Sequence, residues 1–180
     1  RNALATDLNI NQLPEITRNH TYSLTAFYPY ATQPKGEFGV QGEVMYKFKR
    51  NTPLGGKYGT SVALNYSRVM NTLQTQIDEF TPIGAKGTYG YNTDFFSIGD
   101  SLYFQDINFE FSKKWTSDLK TILIYQNIVY NYNILRGTAD HEIVYAHCAV
   151  ADISYNFTSE VSLHTEMQAL FTEQDKGNWG

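Results

Sequence analysis

Lys114-Trp115-Thr116-Ser117-Asp118-Leu119 and Asn156-Phe157-Thr158-Ser159-Glu160-Val161 share one pattern: an aromatic residue, Thr-Ser, an acid, then an aliphatic residue. Each reads as a tight hairpin turn. Ser, Thr and Asp side chains hydrogen-bond the local backbone, and the flanking residues alternate with the period of two that marks strands. Between the two turns, residues 135–142 (LRGTADHE) form a longer polar connection. Four strand-like segments between residues 103 and 171 are thus joined by turns that are alternately short and long. A meander with short turns at one end and longer loops at the other is the layout of an outer-membrane β-barrel.

Working outward, the same alternation predicts eight strands. The first is a modest one around Leu4, Leu8 and Ile10, and the second spans 20–28 with Tyr22, Leu24, Ala26 and Tyr28 on one face. The third is the clearest: Phe38, Val40, Val44, Tyr46 and Phe48 alternate with Glu37, Gln41, Glu43, Lys47 and Lys49. Residues 50–59 turn the chain into a fourth strand, where Thr60, Val62, Leu64 and Tyr66 oppose Ser61, Ala63, Asn65 and Ser67. Residues 71–100 form the longest connection, a surface loop or extended hairpin. The fifth strand, 102–113, sets Tyr103, Ile107, Phe109 and Phe111 against Asp106, Asn108, Glu110 and Ser112. The sixth, 120–133, groups Ile122, Ile124, Ile128, Tyr130 and Tyr132 with Gln126. The seventh, 143–157, groups Tyr145, His147, Ala149, Ala151, Ile153, Tyr155 and Phe157, and the eighth sets Val161, Leu163, Met167, Ala169 and Phe171 against Ser162, His164, Glu166 and Gln168. Residues 175–180 read as another turn.

The expected fold is therefore all-β, an antiparallel up-and-down meander of about eight strands in one domain over residues 1–180, forming part of a transmembrane β-barrel. Composition agrees: 14 Tyr, 11 Phe and 13 Gly against 5 Pro suit strands and turns. A formal net charge of -4 argues against a nucleic-acid partner. The single Cys148 allows no internal disulfide. No apolar run is long enough for a transmembrane helix, whereas a transmembrane strand needs only alternate apolar residues over about 9–11 positions.

Alternation does not say which face is buried, since a soluble extracellular β-sandwich also alternates. Strand length and aromatics near strand ends favour the membrane. Tyr46, Phe48, Phe109, Phe111, Trp115, Tyr130, Tyr132, Tyr155 and Phe157 are the expected membrane-interface aromatics, and the polar parity supplies the expected lumen residues Glu37, Glu43, Lys47, Lys49, Asp106, Glu110, His164 and Glu166. Tight turns on the periplasmic side put both chain ends on the extracellular side, which predicts a segment of a larger barrel. The runs 52–60 (TPLGGKYGT), 20–30 (HTYSLTAFYPY) and 167–179 (MQALFTEQDKGNW) resemble an uncharacterised family of predicted outer-membrane β-barrel proteins from Bacteroidota. That resemblance implies an outer-membrane location and a longer parent chain; it brings no catalytic motif.

Catalytic and cofactor signals are weak. Gly55-Gly56-Lys57 lacks the upstream glycine and following Ser/Thr of a phosphate loop, and reads as a turn. His164 and Glu166 share a face with Ser162, so a metal pair or a lipid-hydrolysing Ser/His pair is an alternative to lumen packing. His20, His141 and His147 show no ligand spacing, and the three Asn-X-Ser/Thr matches at Asn19, Asn65 and Asn156 are chance in a bacterial barrel. The expected function is a channel or porin-like passage for small polar solutes, non-enzymatic and without cofactor. Its partners would be outer-membrane lipid, small polar solutes, or another outer-membrane protein met through the long loop. A non-enzymatic docking barrel and a soluble binding module are the alternatives.

Overall fold

The computed structural model describes residues 17–18, 20–33, 36–83, 85, 87–88, 90–136 and 143–173. Among these residues there are eight antiparallel strands, β1 (Glu37–Phe48), β2 (Thr60–Thr72), β3 (Thr75–Gln76), β4 (Tyr91–Asn92), β5 (Ile98–Lys114), β6 (Leu119–Asn131), β7 (Ile143–Asn156) and β8 (Ser162–Glu173), and one short helix, α1 (Tyr132–Arg136). Six of them form one sheet in the order β1-β2-β5-β6-β7-β8, and β3-β4 is a small separate hairpin. Each long strand pairs with its sequence neighbour in that sheet, as a meander requires. β1 and β8 are its two edges and do not pair with each other among the described residues, so no closed barrel is present.

Both quoted turns are built alike. Trp115 N–H bonds Leu119 O and Phe157 N–H bonds Val161 O, each at 2.9 Å. Thr116 Oγ1 accepts from the N–H groups of Asp118 (3.1 Å) and Leu119 (3.0 Å), and Thr158 Oγ1 does the same for Glu160 (3.2 Å) and Val161 (3.0 Å). The threonine hydroxyl thus satisfies two turn donors that no strand partner reaches. The turn between β1 and β2 uses positive φ at Asn51 (61°), Gly56 (60°) and Gly59 (112°). A Cβ at Gly55 would sit 1.9 Å from the carbonyl oxygen of Lys49, so only glycine fits there. These three turns define one end of the sheet; the long connections lie at the other. The longest is shorter than expected, because β2 runs on to Thr72 and β5 begins at Ile98.

Register separates two faces. Val44, Leu64, Phe109, Tyr125, Ala149 and Ala169 are successive cross-strand partners on one face, and Glu43, Asn65, Asn108, Gln126, Cys148 and Leu170 form the adjacent row on the other. Along these two rows burial runs opposite to polarity, although the second face also carries the apolar core residues Val69, Phe104, Ile128, Tyr130, Val144 and Val150. Val44 is 69% exposed, Leu64 49% and Tyr125 48%, whereas Asn65 is 0%, Asn108 2% and Gln126 1%. The polar face is the covered one.

The cover is residues 17–33, which the alternation predicts as a strand over 20–28. That expectation is wrong about pairing. Ala26 N–H bonds Tyr22 O (3.1 Å), Phe27 N–H bonds Leu24 O (3.3 Å), and Thr25 Oγ1 bonds Tyr22 O (2.7 Å), so the segment turns on itself and lies across the sheet as a strap. The period of two is real over Arg18, His20, Tyr22 and Leu24, but what it faces is the polar sheet surface.

On β6, Tyr130, expected at the membrane interface, faces the strap instead. Ile122, Ile124, Ile128 and Tyr130 lie on the covered face beside Gln126, and Leu123, Tyr125, Asn127 and Val129 lie on the open one. Both parities of this strand are apolar, so alternation is ambiguous; the partners of Gln126 and the apolar underside of the strap decide it. Tyr22 and Leu24 pack on Ile124, Cys148 and Val150, and Tyr28 and Tyr30 join Val69, Phe104, Ile128 and Tyr130 in the main core. Beyond Asn131 the expected strand becomes α1, which returns Tyr132, Ile134 and Leu135 to the same core. The expected first strand, His141 and the final turn at 175–180 lie outside the described residues.

Candidate functional site: the strapped polar face

Alternate strap residues each meet a different part of the sheet. Arg18 forms ion pairs with Glu43 (3.0 Å, β1) and Glu110 (3.2 Å, β5), and donates to Asn108 at 3.4 Å. His20 Nε2 lies 2.5 Å from Asp106 Oδ2, while the Gln126 amide donates to Asp106 Oδ1 at 3.2 Å. Asp106 is wholly buried, so its charge needs these contacts. The Tyr22 hydroxyl donates to Asp152 Oδ2 at 2.7 Å, and the Leu24 N–H donates to Gln168 Oε1 at 2.8 Å. The strap then returns toward the long-loop end, where the Tyr30 hydroxyl donates to Glu37 and the Gln33 N–H adds a second bond to the same oxygen (3.0 Å).

The expected lumen residues therefore divide. Glu37, Glu43, Asp106 and Glu110 are strap anchors. Lys47, His164 and Glu166 share their face, and Lys49 lies beyond the end of β1. His164 Nε2 is engaged by Asp152 Oδ1 at 2.7 Å, and no hydrogen bond joins it to Ser162 among the described residues. Of the expected interface aromatics, Tyr46, Phe48, Phe109, Phe111 and Tyr155 lie on the open apolar face, with Phe109 at mid-sheet. Near the tight-turn end, Tyr46 meets Phe48 edge-on at 4.9 Å, Tyr155 meets Phe157 likewise at 4.9 Å, and Lys113 sits 4.2 Å over the Trp115 ring. Tyr130 and Tyr132 do not belong in that set. Tyr130 is 2% exposed beneath the strap, and both rings pack against Tyr28.

Sequence reading missed two features. One is the strap itself, since no residue type marks an extended segment that docks on side chains instead of on a strand edge. The other is a basic rim at the tight-turn end of the polar face: Lys47, Arg50, Lys114 and Lys120 line one pocket with no acidic residue among its lining. Lys114 and Lys120 are direct cross-strand partners, a like-charge pair that costs stability unless an anion or solvent offsets it. The sequence signal was a set of basic residues at strand ends.

No curated protein and no solved structure matches this chain. A family model does match, over residues 1–180. The chain belongs to the family of unknown function DUF6029. In this DUF6029 chain, the whole matched length includes the strap as well as the sheet, so both are parts of the family's domain.

Strap docking is expected to fail in alkali. Burial, and then the hydrogen bond to Asp152, push the Tyr22 hydroxyl well above its ordinary value of 10.0; burial and Glu37 do the same to Tyr30. A raised phenol favours the neutral form in the docked state. Its contribution is therefore complete below pH 10 and is lost as pH rises above that value. Limited proteolysis of the strap should accelerate above pH 10 while the sheet's far-ultraviolet circular dichroism is unchanged. Cleavage that is independent of pH would show that these phenols do not hold it.

Proposed function

We propose that this chain forms wall and strap of an outer-membrane β-barrel, a non-enzymatic, gated passage for small polar solutes. The observation that carries the reading is the uncovered apolar face of the six-stranded sheet, where Val44, Leu64, Phe109 and Tyr125 are all exposed. A water-exposed apolar face spanning six strands far exceeds the patches that soluble monomers tolerate. A soluble β-sandwich would cover Val44, Leu64, Phe109 and Tyr125 with a second sheet, and the described residues contribute none. Lipid is the solvent that suits this face. Strand lengths of 12 to 17 residues exceed what crossing a bilayer on a tilt needs. Unpaired edges are not tolerated in hydrocarbon, so the reading requires β1 and β8 to be paired when embedded.

On this reading the polar face lines the lumen and the strap lies within it as the closed gate. The basic rim of Lys47, Arg50, Lys114 and Lys120 would favour anions at that mouth. A second reading, a docking barrel, draws on Phe80, Phe95 and Phe96, which are 93%, 90% and 77% exposed in the long connection. The test is folding of the purified chain with and without detergent or lipid. A band that migrates differently unboiled and boiled, obtained only with detergent or lipid, is the expected result. A folded, monodisperse sample in plain buffer would overturn the membrane assignment.

A further inference from the structure

Asp152 on β7 and Glu166 on β8 are direct cross-strand partners, with His164 one alternate position along β8 on the same face. One donor atom from each of the three residues lies within 4.8 Å of the others, and His164 Nε2 is 2.7 Å from Asp152 Oδ1. Two carboxylates placed opposite each other repel, by up to about 1 kcal/mol for an ordinary cross-strand pair. Proteins normally relieve such a pair with Lys or Arg. Neither carboxylate has a lysine or arginine ion pair among the described residues.

Both carboxylates are also held from behind. Asp152 Oδ2 accepts from the Tyr22 hydroxyl at 2.7 Å, which leaves Oδ1 for His164. Glu166 Oε1 accepts from the Gln168 amide, and that amide is itself fixed by the Leu24 N–H (2.8 Å) and Ser23 Oγ (3.2 Å). Carboxylates with one oxygen tied by outer hydrogen bonds and the other aimed at an imidazole are what metal centres use to fix ligand orientation. The Asp152 side chain is 12% exposed and that of His164 56%, so the cluster is walled on the sheet side and open to solvent on the other.

We propose that Asp152, His164 and Glu166 bind a divalent transition-metal ion of the zinc class. One neutral imidazole and two carboxylates carry two negative charges against the ion's two positive charges. The imidazole selects zinc-like ions over magnesium and calcium, which prefer all-oxygen sites. Binding replaces the Asp152–His164 hydrogen bond: the two donors separate to roughly 3 Å, each about 2 Å from the metal, and water completes the coordination. Because Tyr22, Ser23 and Leu24 form the outer ring, the ion also ties the strap to β7 and β8. The site needs only the β7–β8 pairing and the docked strap, and stands whether or not the sheet lies in lipid.

The test is titration of the folded full chain with Co²⁺, read by its visible absorption, and with Zn²⁺, read by calorimetry. The expected result is one site, weakened by at least about tenfold in His164→Ala and in the isosteric Glu166→Gln, and unchanged in His147→Ala, whose ring lies on the opposite face. Zn²⁺ should also slow proteolysis of the strap in the unsubstituted chain and not in Glu166→Gln. Absence of one-site binding at millimolar metal in the unsubstituted chain overturns the proposal without reference to any variant. Binding that survives Glu166→Gln in a protein with native circular dichroism overturns it too.

Discussion

Leu64→Arg is expected to cost about 2–4 kcal/mol of folding free energy in lipid vesicles, while Gln41→Arg costs little. Both positions lie near the middle of their strands and both are exposed, so packing does not distinguish them. They differ in face. Leu64 belongs to the bare apolar row with Val44 and Phe109, whereas Gln41 pairs with Ser67 on the polar side. A guanidinium at the first site would be held in hydrocarbon; at the second it meets the aqueous lumen. In water an exposed Leu→Arg change is within about 0.5 kcal/mol of neutral, so a large cost at Leu64 reports lipid. Urea unfolding from vesicles measures the difference, and equal effects at the two sites would sink the assignment of faces. Ile124 is not a suitable probe, since it is buried under the strap.

Asp106→Ala should release the strap. Asp106 is 0% exposed and takes both the His20 contact at 2.5 Å and the Gln126 bond at 3.2 Å, so its removal leaves the part-buried His20 and the buried Gln126 only each other, 2.9 Å apart. Leaving a buried polar group without its partner costs about 1–3 kcal/mol. The expected outcome is rapid proteolysis within residues 17–33 with the six-stranded sheet intact, and higher single-channel conductance than the unsubstituted protein. Asp106→Asn, which keeps the shape and can still accept a hydrogen bond, should show a smaller effect. Unchanged conductance with a demonstrably cleaved or undocked strap would remove the strap from any gating role and leave it as structural cover.

Several features were legible in the residues because they rest on local chemistry. The paired Thr-Ser turns use hydroxyl-to-backbone bonds that span only three residues, and the alternation of β1, β5 and β8 survives because one parity of each is mostly polar. His164 and Glu166 could be placed on one face by spacing. Their third partner, Asp152, could not, because it arrives through the β7–β8 register. The strap was misread for a related reason: a segment of alternating Tyr and Leu looks the same whether its backbone pairs with a strand or its side chains bridge several.

By itself, then, the sequence determined an all-β antiparallel meander, its tight turns and the two-faced character of most strands, since these follow from side-chain period and short-range hydrogen bonding. Only the tertiary structure decided that the polar face is the covered one, that the sixth strand turns Ile124 and Tyr130 toward it, and that Arg18, His20 and Tyr22 are brought to acids 86 to 130 residues away. Contacts at that separation depend on where the strap docks, and docking is set by the combined surface of several strands, which no single stretch of sequence contains.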